Sequence, residues 1–128
     1  MNFLNKLFSG GKSADKYFEM AFEEETVFHN YKKAASYYEK SAELGLAKAQ
    51  FYCGYLYLKG RGVARNYARA FELVESGAKQ NHPQAQYLLA QMYLSGEGIK
   101  KDESKGEEWL NKFKEHNIPP QRLSFHCF

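Results

Sequence analysis

A chain of 128 residues, 44% hydrophobic and 26% charged, is long enough for one cored domain and too apolar for intrinsic disorder. Its net charge of +3 is small, and Lys and Arg are interspersed with acids along the whole length, so the concentrated basic face that nucleic-acid binding needs is missing. Ten Tyr and ten Phe exceed what a minimal core requires, and Tyr tolerates half-burial at contact surfaces.

In chain order, residues 1–12 read as an N-terminal extension. Asn5 and Lys6 interrupt the apolar residues Phe3, Leu4, Leu7 and Phe8, so the continuous stretch of about 7 to 15 residues that a secretory signal needs is absent. In helical form these four residues make one stripe. Packing on the domain that follows is the expectation, and attachment to a membrane surface the alternative. Gly11, Lys12 and Ser13 match the end of a phosphate-binding loop, but position 6 holds Lys where that loop needs Gly, which makes the segment a linker.

From residue 13 the sequence repeats. A shift of 36 residues lays Ala49–Val63 on Ala85–Ile99, with Ala49/Ala85, Gln50/Gln86, Tyr57/Tyr93, Leu58/Leu94, Gly60/Gly96 and Gly62/Gly98 identical. The same shift pairs Val27 with Val63, Asn30 with Asn66 and Ala34 with Ala70. Three units follow, 13–48, 49–84 and 85–118, before a tail at 119–128. Within a unit Ala49, Cys53, Gly54 and Tyr57 fall on one helical face, and Gly60 and Gly62 end that helix. Asn30, Asn66 and Asp102 recur just before a second periodic stretch, where a short polar side chain caps a new helix. Each unit is thus helix, turn, capped helix, and a period of this length signals stacked supersecondary units.

This pattern resembles the Sel1-like repeat, a relative of the tetratricopeptide repeat. The central unit carries it in Ala49, Cys53, Gly54, Tyr57, Gly60, Gly62, Val63, Arg69, Ala70 and Leu73, and the third in Ala85, Leu89, Ala90, Tyr93, Gly96, Gly98, Ile99, Lys105 and Trp109. The first unit keeps Lys33, Ala34, Tyr37 and Ala42 but has Glu24 and Thr26 in place of the glycines, so its turn must differ. The resemblance implies an all-α, right-handed α–α superhelix of about three helix pairs, used as an adaptor or scaffold for a protein partner.

Catalytic and metal signatures are sparse. His29, His82, His116 and His126 lack metal-ligand spacing and read as turn and surface residues. Glu23, Glu24 and Glu25 read as a solvated face, and no Ser, Cys or Asp sits in a nucleophile motif. No enzyme, cofactor or metal site is expected. Cys53 and Cys127 lie in no motif, which fits a reduced cytoplasmic setting, with one long-range disulfide as the alternative. Cys127 is misplaced for prenylation, and the tail is expected to cover the third unit or to join another chain by strand pairing.

In a helix-pair solenoid the first helices line the concave side. With Ala49, Cys53, Gly54 and Tyr57 inward, Phe51, Tyr55, Leu58 and Lys59 should project into the groove. The same shift gives Tyr87, Gln91, Leu94 and Ser95 in the third unit, and Asp15, Glu19, Phe22 and Glu23 in the first. The expected partner-binding set is Glu19, Phe22, Glu23, Phe51, Tyr55, Lys59, Tyr87 and Gln91, acidic at one end and aromatic in the middle. The expected partner is a protein, in a sharper version a bacterial toxin neutralised by this chain as its immunity protein. The alternatives are a membrane-surface adaptor and a repeat-type hydrolase of cell-wall or antibiotic substrates. The hydrolase analogy requires a disulfide in each repeat, and Cys53 stands alone in these repeats.

Overall fold

The computed structural model describes residues 12–116, and among them every regular element is a helix: α1 (Ala14–Thr26), α2 (Tyr31–Glu43), α3 (Ala47–Lys59), α4 (Tyr67–Lys79), α5 (Pro83–Ser95) and α6 (Glu103–Lys114). They stack as three antiparallel pairs. α1 packs on α2, α3 on α4 and α5 on α6, while α2 meets α3 and α4 meets α5 across the repeat boundaries. The result is the α–α solenoid that the resemblance implies.

Local chemistry sets the helix ends. The side chains of Ser13, Asn30, Asn66 and Asp102 accept the backbone N–H of Lys16, Lys33, Arg69 and Lys105, each filling one donor that a helix start leaves unpaired. Leu46 and His82 start α3 and α5 with no side-chain cap, and in α5 Pro83 occupies the first turn, where its missing N–H costs nothing. Gly60 and Gly96 close α3 and α5 in the left-handed conformation.

Packing follows the small residues. A Cβ on Gly54 would lie 2.7 Å from Val74 Cγ2 and 3.1 Å from the Ala70 carbonyl, so the bare glycine lets α3 close on α4. Ala21 and Ala90, both fully buried, hold the matching places in α1 and α5. Two apolar clusters form the core, and each bridges repeats. One joins Ala21, Ala34, Tyr38 and Ala42 to Ala49, Cys53, Leu56 and Leu73; the other joins Phe51, Tyr55, Leu58, Ala70 and Val74 to Ala85, Leu89, Met92 and Tyr93.

The first repeat departs from the 36-residue spacing. α3 begins 36 residues before α5, but α1 begins only 33 before α3, because four residues (27–30) join α1 to α2 where seven (60–66 and 96–102) join the later pairs. The shorter turn shifts every α1 residue by three positions. Phe18, Phe22, Glu25 and Thr26, rather than Asp15, Glu19, Phe22 and Glu23, are therefore the counterparts of Phe51, Tyr55, Leu58 and Lys59.

Candidate partner-binding groove

Between α3 and α5, the first helices of adjacent pairs, lies an open groove of about 520 Å³. Tyr55, Leu58, Leu88 and Met92 make its floor, and Lys59, Gln91, Ser95 and Glu97 its rim. The i, i+3, i+4 spacing of Leu88, Gln91, Met92 and Ser95 puts them on one face of α5, and Tyr55, Leu58 and Lys59 do the same on α3. Lys59 holds its ammonium 5.8 Å from the centre of the Tyr55 ring, which directs a cation along the rim.

The structure brings Tyr55, Lys59 and Gln91 of the expected set together in this groove. Two aromatics of that set are buried rather than exposed. Phe51 is 0% exposed and Tyr55 3%, so neither projects as a free anchor. The Phe51 ring centre is 5.7 Å from that of His82 at the start of α5, and the next repeat covers it. Tyr87 is half-buried with its ring centre 5.0 Å from that of Phe113, in the seam between α5 and α6. Phe22 is 38% exposed on α1 and meets Tyr52 edge-on, with ring centres 6.5 Å apart.

Glu19 and Glu23 are exposed but stand apart from the groove. In the corrected register they match Tyr52 and Leu56, by which α3 packs back on the preceding repeat: Tyr52 stacks on Tyr38 at 5.6 Å between ring centres and lies 5.5 Å from Phe18. α1 has no preceding helix pair among the described residues, so Glu19 and Glu23 face outward from that flank. The acidic run is also less uniform than a solvated face. Glu24 pairs with Lys33 at 3.4 Å, and buried Glu25 accepts a hydrogen bond of 2.6 Å from the Tyr38 hydroxyl.

Sequence reasoning missed two polar features. Glu39 on α2 accepts hydrogen bonds from the Tyr57 hydroxyl at 2.8 Å and from the Arg69 guanidinium, tying three helices of two repeats. Burial, then the bond to Glu39, pushes Tyr57 up to about 12. Burial alone would lower Arg69, but the bond and the charge of Glu39 raise it. Beneath them Cys53 is free and buried, and its thiol is pushed upward mainly by burial and next by Glu39, the opposite of an activated nucleophile. His82, expected at the surface, is largely enclosed; burial lowers it to about 4, and its Nε2 has no hydrogen-bond partner. The recurrence of Tyr57 at Tyr93 and of Glu39 at Glu75 was the available signal for the Glu39 network.

Among the described residues no group of three or more His, Cys, Asp or Glu side chains could hold a metal ion. No described helix is long and apolar enough to cross a membrane.

Three stacked helix pairs with a groove between α3 and α5 define a helix-pair repeat solenoid. The Sel1 repeat family model matches residues 17–46, 47–82 and 83–117, and the chain belongs to the Sel1 repeat family. Proteins of this family generally mediate protein–protein interaction, typically as non-enzymatic scaffolds. None of the curated proteins matches the chain. Among solved structures, a protective antigen present in uropathogenic Escherichia coli strains and displaying an SLR fold aligns at 25% identity and a TM-score of 0.79. That alignment covers 82% of this chain and 23% of the antigen. A Sel1 repeat protein from Oxalobacter formigenes aligns at 25% identity and a TM-score of 0.82, over 91% of this chain and 35% of the other. The chain thus spans about a quarter to a third of the length of these two proteins.

Proposed function

We propose that this chain holds a protein partner in the groove between α3 and α5. The observation that carries this reading is the groove's composition, an apolar floor of Tyr55, Leu58, Leu88 and Met92 under a rim of Lys59, Gln91, Ser95 and Glu97. Such a trough suits an extended or helical segment that places an apolar side chain on the floor and meets the rim with polar groups. Its rim charges, one Lys and one Glu, favour a partner of mixed rather than strongly single-signed charge.

In its sharper form the partner is a bacterial toxin, neutralised by being covered, and the setting is the cytoplasm, in keeping with free Cys53. Both solved relatives are bacterial proteins, which supports that origin. We propose no enzymatic step, since the raised Cys53 thiol and Tyr57 hydroxyl are poor nucleophiles.

The test begins with affinity capture of the partner and continues with rim variants. Lys59→Glu combined with Gln91→Ala should weaken binding at least about tenfold at unchanged Tm, because both side chains are exposed. Reversal of Glu19 and Glu23 to Lys should leave groove binding unaltered. Full affinity in the folded Lys59/Gln91 variant refutes the groove. For the immunity reading, coexpression with the product of a neighbouring toxin gene should restore growth, and persistent growth arrest refutes it.

A further inference from the structure

The large hydrophobic side chains exposed among the described residues gather at one end of α1, where Val27 and Phe28 are each 61% exposed on the turn to α2. Val27 is the counterpart of Val63 and Ile99, which are half-buried against the repeat before their own. Two facts argue against a further helix pair as the missing cover. Docking of the later turns requires a glycine: a Cβ on Gly62 would drive into the Tyr31 carbonyl, and one on Gly98 into the Tyr67 ring. The first turn has neither that glycine nor the length, so it is not built to receive a preceding repeat.

Cations lie along the same turn edge. The turn of the second repeat seats on Tyr31, three residues beyond Phe28, and places the Arg61 guanidinium 5.0 Å from the Tyr31 ring centre. Arg65 lies over the Tyr67 ring at 5.5 Å and donates to its hydroxyl. Lys32 is exposed beside them, and none of Lys32, Arg61 and Arg65 pairs with a carboxylate among the described residues. The acids closest in sequence are Glu23, Glu24 and Glu25: Glu25 is buried against the Tyr38 hydroxyl, Glu24 is taken up by Lys33, and Glu23 is exposed. The third turn differs: it carries Glu97, and its Lys101 pairs with Glu103.

We propose that the turn edge of the first two repeats docks on an anionic lipid surface. Val27 and Phe28 enter the headgroup region while Lys32, Arg61 and Arg65 meet the phosphates. An exposed apolar tip on an edge that also carries Lys32, Arg61 and Arg65 suits a deformable anionic surface; a protein partner would need a matching hollow. This edge is separate from the α3/α5 groove, so the proposal stands independently of the partner proposed above.

Co-sedimentation of the full chain with phosphatidylcholine vesicles containing about 30% phosphatidylglycerol tests it. The chain should bind these vesicles, ignore vesicles of phosphatidylcholine alone, and lose binding as salt rises. Val27→Ser with Phe28→Ser should lower partitioning at least about tenfold while leaving the Tm unchanged. Arg61→Gln with Arg65→Gln should weaken it and flatten the salt dependence. Failure to bind the anionic vesicles overturns the proposal, as does undiminished binding by the folded Val27/Phe28 variant. Equal binding to neutral vesicles, or capture of an acidic protein at this edge without vesicle binding, also overturns it.

Discussion

In the second and third repeats seven residues join the paired helices, and Gly60, Gly62, Gly96 and Gly98 adopt positive φ so that each turn folds onto the preceding repeat. In the first repeat four residues do the same work without glycine: His29 adopts φ 54°, and Val27 and Phe28 stay in solvent. The helix pairs themselves are alike. Among the described residues what differs is a preceding helix pair, so the second glycine of the turn is a requirement of stacking, while pairing within a repeat brings the helices together at Ala21, Gly54 or Ala90.

This contrast is sharpest at Gly62. Gly62→Ala adds a Cβ that meets the backbone of Tyr31 at a φ of +78°, and backbone cannot rotate away. A loss of about 3 kcal/mol is expected in urea unfolding, whereas His29→Gly in the first turn should cost almost nothing. Equal effects would break the comparison. Gly54→Leu tests pairing within a repeat and should cost about 2 to 3 kcal/mol through overpacking against Val74, read as a fall in Tm. Glu39→Gln follows at about 1 to 2 kcal/mol, since Arg69 and Tyr57 lose a charged partner, and Tyr57→Phe in the same background should add little.

A smaller effect concerns pH at the junction of the second and third repeats. His82 titrates at about 4 in the folded chain against an ordinary 6.5, so the unfolded chain binds more protons between those values. Its contribution is full above pH 6.5 and is lost as the pH falls towards 4, by about 1 to 2 kcal/mol after allowance for its partial exposure. His82→Gln should flatten the stability curve over that range, and an unchanged curve would contradict the assignment.

The repeat, the Asn and Asp caps and the glycine turns were legible because each rests on a local rule tied to one residue type. The α1 register was not, since an offset of 36 hides a turn that is three residues shorter. Matching Ala21 to Gly54 and Ala90 as the small residue of the helix crossing corrects it. The burial of Phe51 and Tyr55 was illegible for another reason. Helical spacing fixes the direction of a side chain, but the depth of cover depends on what the next repeat places over it, here His82 and the groove face of α5.

The central claim is that the partner lies against α3 and α5, and methyl NMR of the complex tests it most directly. Leu58, Leu88 and Met92 line the groove, whereas Val63 lies outside it beside α2. Binding of the captured partner should shift the Leu58, Leu88 and Met92 methyl signals and leave Val63 in place; shifts confined to Val63, with the groove methyls unmoved, would contradict it.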